Sequence, residues 1–184
     1  AIERLGGTLD AARHVDCTSY VLSLPPEAIA KGVDLLGEVL QQPLLTEFRT
    51  EKQIIREEIL EDLNEEGEQI NVDNVSRRLL YPEHPLGFTI LGPLDNLDRF
   101  ETDDLRRHHS RHYTACNSVL CIAGAFDAQE IEQTVRSSFD GMPKGSMIEP
   151  RQAPSHSVSP RFCYVHEHGS QTDVRLSFHT PGVA

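Results

Sequence analysis

Three acidic side chains, Glu51, Glu57 and Glu58, fall within the stretch Thr50-Glu51-Lys52-Gln53-Ile54-Ile55-Arg56-Glu57-Glu58-Ile59. A carboxylate set among isoleucines can hold a metal or move a proton, because its surroundings decide its charge. Which of the three could do so depends on the side of the helix each takes. At 100° per residue, Phe48, Ile55 and Ile59 cluster within about 40° of one another, and Glu57 lies opposite. Glu58 stands about 80° from the middle of that stripe, with Ile54 and Ile55 on the turn before it. Glu51, seven residues earlier, is about 20° from Glu58 around the axis and two turns away. One flank of the buried stripe thus carries two carboxylates in line, where a partly buried, functional glutamate would sit. A solvated glutamate is the alternative at this point. The later acids, including Glu61, Asp62, Glu65, Glu66 and Glu68, read as an exposed face.

Two histidine pairs have ligand-like spacing. His108 and His112 stand at i, i+4 on one helix, and His166-Glu167-His168 places both imidazoles on one face of a strand. No third ligand is evident near either, so structural or incidental roles are the default. The four cysteines, Cys17, Cys116, Cys121 and Cys163, form no CxxC and no paired zinc spacing. Cys116 and Cys121 read as small buried hydrophobes in or beside an apolar stretch. Taken as unpaired, the four lean towards a cytoplasmic or other reducing compartment.

The elements that must position these residues emerge from periodicity. Ile2 to Leu5 reads as a helix tail closed by Gly6-Gly7, and Thr8 to Leu24 as two strands with a turn near Arg13–Asp16. Pro25-Pro26 opens a helix whose buried face is Ile29, Val33, Leu36 and Leu40, ended by Gln41-Gln42-Pro43. A long helix is expected from Thr46 to Glu66, another from Glu68 to Tyr81, then a loop over Pro82–Pro93. Thr102–Tyr113 and Gln129–Phe139 read as helices and Ser118–Gly124 as an apolar strand. Gly141–Pro160, rich in proline, serine and glycine, is a linker, and Arg161–His166 and Asp173–Phe178 read as strands of a second domain. The order predicts an α+β fold: a largely antiparallel sheet flanked by helices, incomplete at both ends. The expected division is 1–140 for a first domain, 141–160 for a linker and 161–184 for the opening strands of the next. Ala1 reads as a cut end.

With 29 acidic against 17 basic residues the net charge is −12. That surface repels phosphate backbones and anionic lipid, which argues against nucleic acid as a partner. No apolar run approaches the roughly 20 residues that cross a bilayer, which argues against membrane insertion.

Several stretches in fixed order resemble one family. Glu51-Lys52, Ile54-Ile55 and Glu58-Ile59 resemble the "ER-x-V-I-L-x-E-[IM]" helix of the pitrilysin/insulinase metallopeptidases, in their mitochondrial-processing-peptidase branch. Leu5-Gly6-Gly7-Thr8-Leu9-Asp10-Ala11 resembles the family's edge strand. Tyr81-Pro82-Glu83-His84-Pro85-Leu86-Gly87 with Ile90-Leu91-Gly92 resembles its "HPLGxxILG" loop. Arg111-His112-Tyr113-Thr114 and Asn117 through Asp127 resemble "RHYTxxNxVLxxxGxFD". Together these cover Ile2 to Phe139.

The resemblance implies a zinc endopeptidase or oligopeptidase, with Glu58 as the third metal ligand and Glu51 as a supporting acid. It implies that peptide or unfolded protein adds as a strand along Thr8, Leu9, Asp10, Ala11 and Ala12. A homo- or hetero-oligomer with peptidase-like subunits is consistent with the family. The His-x-x-Glu-His that would supply two ligands and the general base does not occur in these 184 residues. No catalytic residue is therefore expected here, zinc belongs to the complete protein, and this chain alone should be inactive. Asp10 stands where the family often has asparagine, and Ala12 where an aromatic is common. A non-catalytic peptidase-like subunit that binds peptides or scaffolds a complex is the alternative.

Overall fold

The computed structural model describes residues 2–154 and 161–179. A 3₁₀ turn at Ile2–Leu5 precedes strands β1 (Thr8–Arg13) and β2 (Thr18–Ser23) and a second 3₁₀ turn at Pro26–Ala28. Helices α1 (Ile29–Gln41), α2 (Phe48–Glu61) and α3 (Val72–Leu80) come next, then a 3₁₀ turn at Pro85–Gly87. Helices α4 (Leu94–Arg99), α5 (Thr102–His112) and α6 (Ala128–Phe139) complete the order, with a 3₁₀ turn at Ala115–Asn117. The fold is α+β, and its sheet among the described residues is the antiparallel pair β1–β2. The chain divides into two compact units, counting described residues only. One comprises residues 2–13, 18–46 and 101–149, the other residues 14–17, 47–100, 150–154 and 161–179.

In the first unit the hairpin and α6 both pack on α1. The expected stripe supplies the core, with Val33 5% and Leu36 8% exposed and Ile131 of α6 5% exposed. Burying each such side chain contributes about 1.5–3 kcal/mol. Two glycines permit the close approach. A Cβ at Gly32 would stand 2.0 Å from Leu24 Cδ1, and one at Gly37 would stand 2.9 Å from the Ser138 carbonyl oxygen. Polar bonds fix the contact of α1 with α6: Gln41 Nε2 donates to Ser138 O at 2.8 Å, and Ser138 Oγ to Asp34 Oδ1 at 2.6 Å.

The Tyr20 and Tyr113 hydroxyls are 2.9 Å apart, with the rings edge to face. Burial, then the hydrogen bond to Tyr20, raises Tyr113 above the ordinary tyrosine value of 10.0. The folded state therefore holds this proton more tightly than the unfolded chain. The stability so gained is complete below pH 10.0 and is lost progressively as the pH rises above it. Urea midpoints should fall above pH 10.0 in the parent and fall less steeply in Tyr113→Phe.

In the second unit Ile59 of α2 is 7% exposed and Leu97 of α4 is 5% exposed. Lys52 Nζ donates to the carbonyls of Asp98 and Phe100 at 3.1 and 3.0 Å, satisfying the end of α4, and Arg56 pairs with Asp98. Asn71 caps α3, its Oδ1 accepting from the Asp73 and Asn74 amides at 3.0 and 3.3 Å. The Asp62 carboxylate ties the two helices together, taking Asn71 Nδ2 at 3.0 Å and Asn74 Nδ2 at 2.8 Å. His84, 6% exposed, accepts from the Leu86 amide on Nδ1 at 3.2 Å. That leaves Nε2 protonated, to donate to Arg151 O at 3.2 Å.

Several expectations need correction. The long helix stops at Glu61 rather than Glu66, and the next begins at Val72 rather than Glu68. Between them Gly67 takes a φ of +77°, and Asn64 Oδ1 accepts from the Glu66 and Glu68 amides at 3.1 and 2.8 Å. These local bonds compete with helix. Ile2–Leu5 is a 3₁₀ turn, and α4 is a helix that periodicity does not announce. Ser118–Gly124, Arg161–His166 and Asp173–Phe178 form no strand here, because among the described residues none of them has a ladder partner. Cys116 and Cys121 are accordingly exposed, not buried, as are Cys17 and Cys163. Part of the expected linker, 155–160, and the last residues, 180–184, lie outside the described residues, as does Ala1.

Candidate functional site

Helix α2 presents Glu51, Glu57 and Glu58 as its phase requires. Glu58 is half-buried beside the core residue Ile59, while Glu51 and Glu57 are exposed. Seven residues at 1.5 Å each set Glu51 roughly 10 Å from Glu58 along the axis. α2 is held in place by Lys52 and Arg56, whose bonds to the end of α4 lie on the same helix as Glu58. The sequence alone assigns those two cations no positioning role, because the six residues of α4 are too few to show a helical period. Their i, i+4 spacing before a Leu-x-x-Leu segment was the available signal.

Thr8, Leu9, Asp10, Ala11 and Ala12 all lie on β1, and every residue of that strand is exposed. The register pairs Leu9 with Leu22 and Ala11 with Tyr20. Beyond the strands, the His14 amide donates to Cys17 O at 2.8 Å. Carried back from that bond, the alternation of an antiparallel ladder turns the amide and carbonyl of Leu9 and Ala11 outward, away from β2. Among the described residues β1 pairs with β2 alone, so those groups line an open edge. Leu9 and Leu22 line a groove against Leu35, Leu36 and Val39 of α1. Thr8, Asp10 and Ala12 alternate to the other face.

His108 and His112 stack at 4.2 Å between ring centroids, and His166 and His168 meet edge to face at 4.7 Å. Among the described residues no group of three or more His, Cys, Asp or Glu side chains is placed to hold a metal. Zinc needs three protein ligands and an open position for catalysis. With no such group among the described residues, the donors described here do not by themselves fit zinc.

Comparison with known proteins places these features. The sequence model described as Insulinase (Peptidase family M16) matches residues 1–94, and that described as Peptidase M16 inactive domain matches 99–184. Mitochondrial-processing peptidase subunit beta of Blastocladiella emersonii is 32% identical over 148 residues, covering 79% of this chain and 31% of the relative. Cytochrome b-c1 complex subunit 1, mitochondrial, of Bos taurus is 26% identical, covering 100% of this chain and 38% of the relative. An uncharacterized zinc protease of Mycobacterium leprae is 24% identical, covering 99% and 42%. The crystal structure of a putative M16-like peptidase from Alicyclobacillus acidocaldarius superposes with a TM-score of 0.67 at 30% identity, covering 83% of this chain and 36% of that one.

This chain thus spans about a third of the length of the relatives it matches. The relatives also correct the compartment read from the cysteines, pointing to the mitochondrion rather than the cytoplasm. Unpaired thiols report only a reducing redox poise, which more than one compartment has.

Proposed function

The chain belongs to the insulinase family, peptidase family M16, and from that premise we propose that it is part of a zinc-dependent endopeptidase or oligopeptidase. The observation that carries the reading is the half-buried Glu58 on α2, at the position of the family's ligand motif, with Glu51 in line on the same flank. When bound, the metal would lower the pKa of a water and polarise the scissile carbonyl. This chain's residues have narrower tasks. Glu58 supplies one carboxylate ligand and Glu51 a supporting negative charge. Lys52 and Arg56 keep the helix against α4. The outward amides and carbonyls of Leu9 and Ala11 take an extended peptide as an added strand, with Thr8, Asp10 and Ala12 flanking it. The substrate class is peptide or unfolded protein, and peptidase-like subunits are the expected partners in an oligomer.

One carboxylate does not retain zinc usefully. The purified chain should therefore release no product from a peptide library, with or without added zinc. The complete protein should cleave peptides and stop on addition of chelator. Chelator-sensitive hydrolysis by the chain alone would overturn this assignment of its ligands.

A second reading is a non-catalytic subunit that binds peptides or scaffolds a complex. It is favoured by Asp10 and Ala12 at the edge strand and by the match to a cytochrome b-c1 subunit over 100% of this chain. A complete protein that binds peptide and never cleaves it would decide for that reading.

A further inference from the structure

We propose that His108 and His112 form a bidentate imidazole site for a late first-row divalent cation, on the outer face of α5. The two residues stand one turn apart on an eleven-residue helix, Thr102–His112, and their rings lie nearly parallel, 21° apart, with centroids at 4.2 Å. A cation bound at 2.0–2.1 Å to each nitrogen spans donors up to about 4.2 Å apart, so small rotations of the side chains close the chelate. Neither side chain is engaged in a hydrogen bond among the described residues.

The third histidine of the segment is committed elsewhere. His109 Nε2 bonds to Leu40 O at 2.8 Å, and its ring stacks on Tyr113 at 4.6 Å. Asp104, one turn before His108, is committed as well: its Oδ2 accepts from the Glu101 amide at 2.8 Å, and Arg107 pairs with its Oδ1. The protein donors are therefore the two imidazoles, and water fills the remaining positions. Imidazole donors without thiolate favour Cu²⁺ over Ni²⁺ and Zn²⁺ in the general affinity order. The exposed His166–His168 pair is the competing site; its rings are 77° apart.

The test is calorimetric titration of the purified chain with Cu²⁺, then Ni²⁺ and Zn²⁺, together with the nitrogen couplings in the Cu²⁺ electron paramagnetic resonance spectrum. One saturable site with two nitrogen ligands is expected, tightest for Cu²⁺. His108→Ala should weaken it at least tenfold, since loss of a mere supporting partner already costs about tenfold. His112→Gln should do the same, with helix content by circular dichroism unchanged. A His166→Ala/His168→Ala double variant and Glu58→Gln should leave the affinity unaltered. No saturable binding, affinity unchanged in His108→Ala, or loss of binding in the His166/His168 variant would each overturn the proposal.

Discussion

Glu58→Gln in the complete protein should lose its zinc and its peptidase activity while keeping its fold, and Glu57→Gln, one residue away, should behave like the parent. Glutamine keeps the size of glutamate and loses the charge and the second strong oxygen donor. A bound metal stabilises the transition state by several kcal/mol, so its loss should lower kcat/KM by a factor on the order of a thousand or more. Glu57 projects from the exposed side of α2, opposite the Phe48–Ile55–Ile59 stripe, and most surface substitutions change stability by less than about 0.5 kcal/mol. Metal content by mass spectrometry under native conditions and peptide hydrolysis read the two variants side by side. Urea midpoints within error of the parent would exclude unfolding as the cause. A dead Glu57→Gln beside an active Glu58→Gln would move the ligand to the other glutamate.

Gly87→Ala should be among the most destabilising single exchanges in the chain. A Cβ there would stand 2.0 Å from the Tyr81 carbonyl oxygen and 2.8 Å from its carbonyl carbon. Both obstacles are backbone at the end of α3, so no side-chain rotation relieves the clash. The turn Pro85–Gly87 would have to leave α3, and with it the bond from the Leu86 amide to His84. A cost near the upper end of overpacking, about 3 kcal/mol, is expected, with a Tm drop of roughly 10 °C for a chain of this size. Gly67 is the control. Its φ is +77° but nothing lies within 4 Å of a Cβ, so Gly67→Asn, which tolerates that backbone, should cost less than about 1 kcal/mol. Equal losses in the two variants would mean that the contact with the Tyr81 carbonyl is not what restricts Gly87.

The sequence made legible whatever short-range periodicity encodes. The hairpin, α1 and its stripe of Val33 and Leu36, the phase of α2 and the ends of α6 are set by residues within a turn or two of one another. The ordered motifs carried the family. The boundaries of α2 and α3 were not legible, because Asn64 and Asn71 use their side chains to replace helical bonds, a choice that composition leaves open. α4 has six residues, Leu94–Arg99, too few for a clear helical period, and its stability comes from Lys52 and Arg56 more than forty residues away in sequence. The apolar run Ser118–Gly124 has strand composition, but a strand is made by its partner. Val119 is 90% exposed, as an extended segment without a ladder would leave it. Of the proposed site, helical phase marks only the flank that carries Glu58 and Glu51, the motif resemblance supplies their proposed roles, and the outward groups of Leu9 and Ala11 follow only from the register.

The open edge of β1 has a cost apart from any substrate. Outward amides and carbonyls pair with whatever extended backbone arrives, including the same hairpin of another molecule. Against this the strand is short, six residues from Thr8 to Arg13, and it carries Asp10 near its middle and Arg13 at its end. Two such edges meeting antiparallel about their centres would bring Asp10 close to its own counterpart, and like charges that close repel. Asp10 would therefore act as a gatekeeper, discouraging fibril-like stacking of this edge.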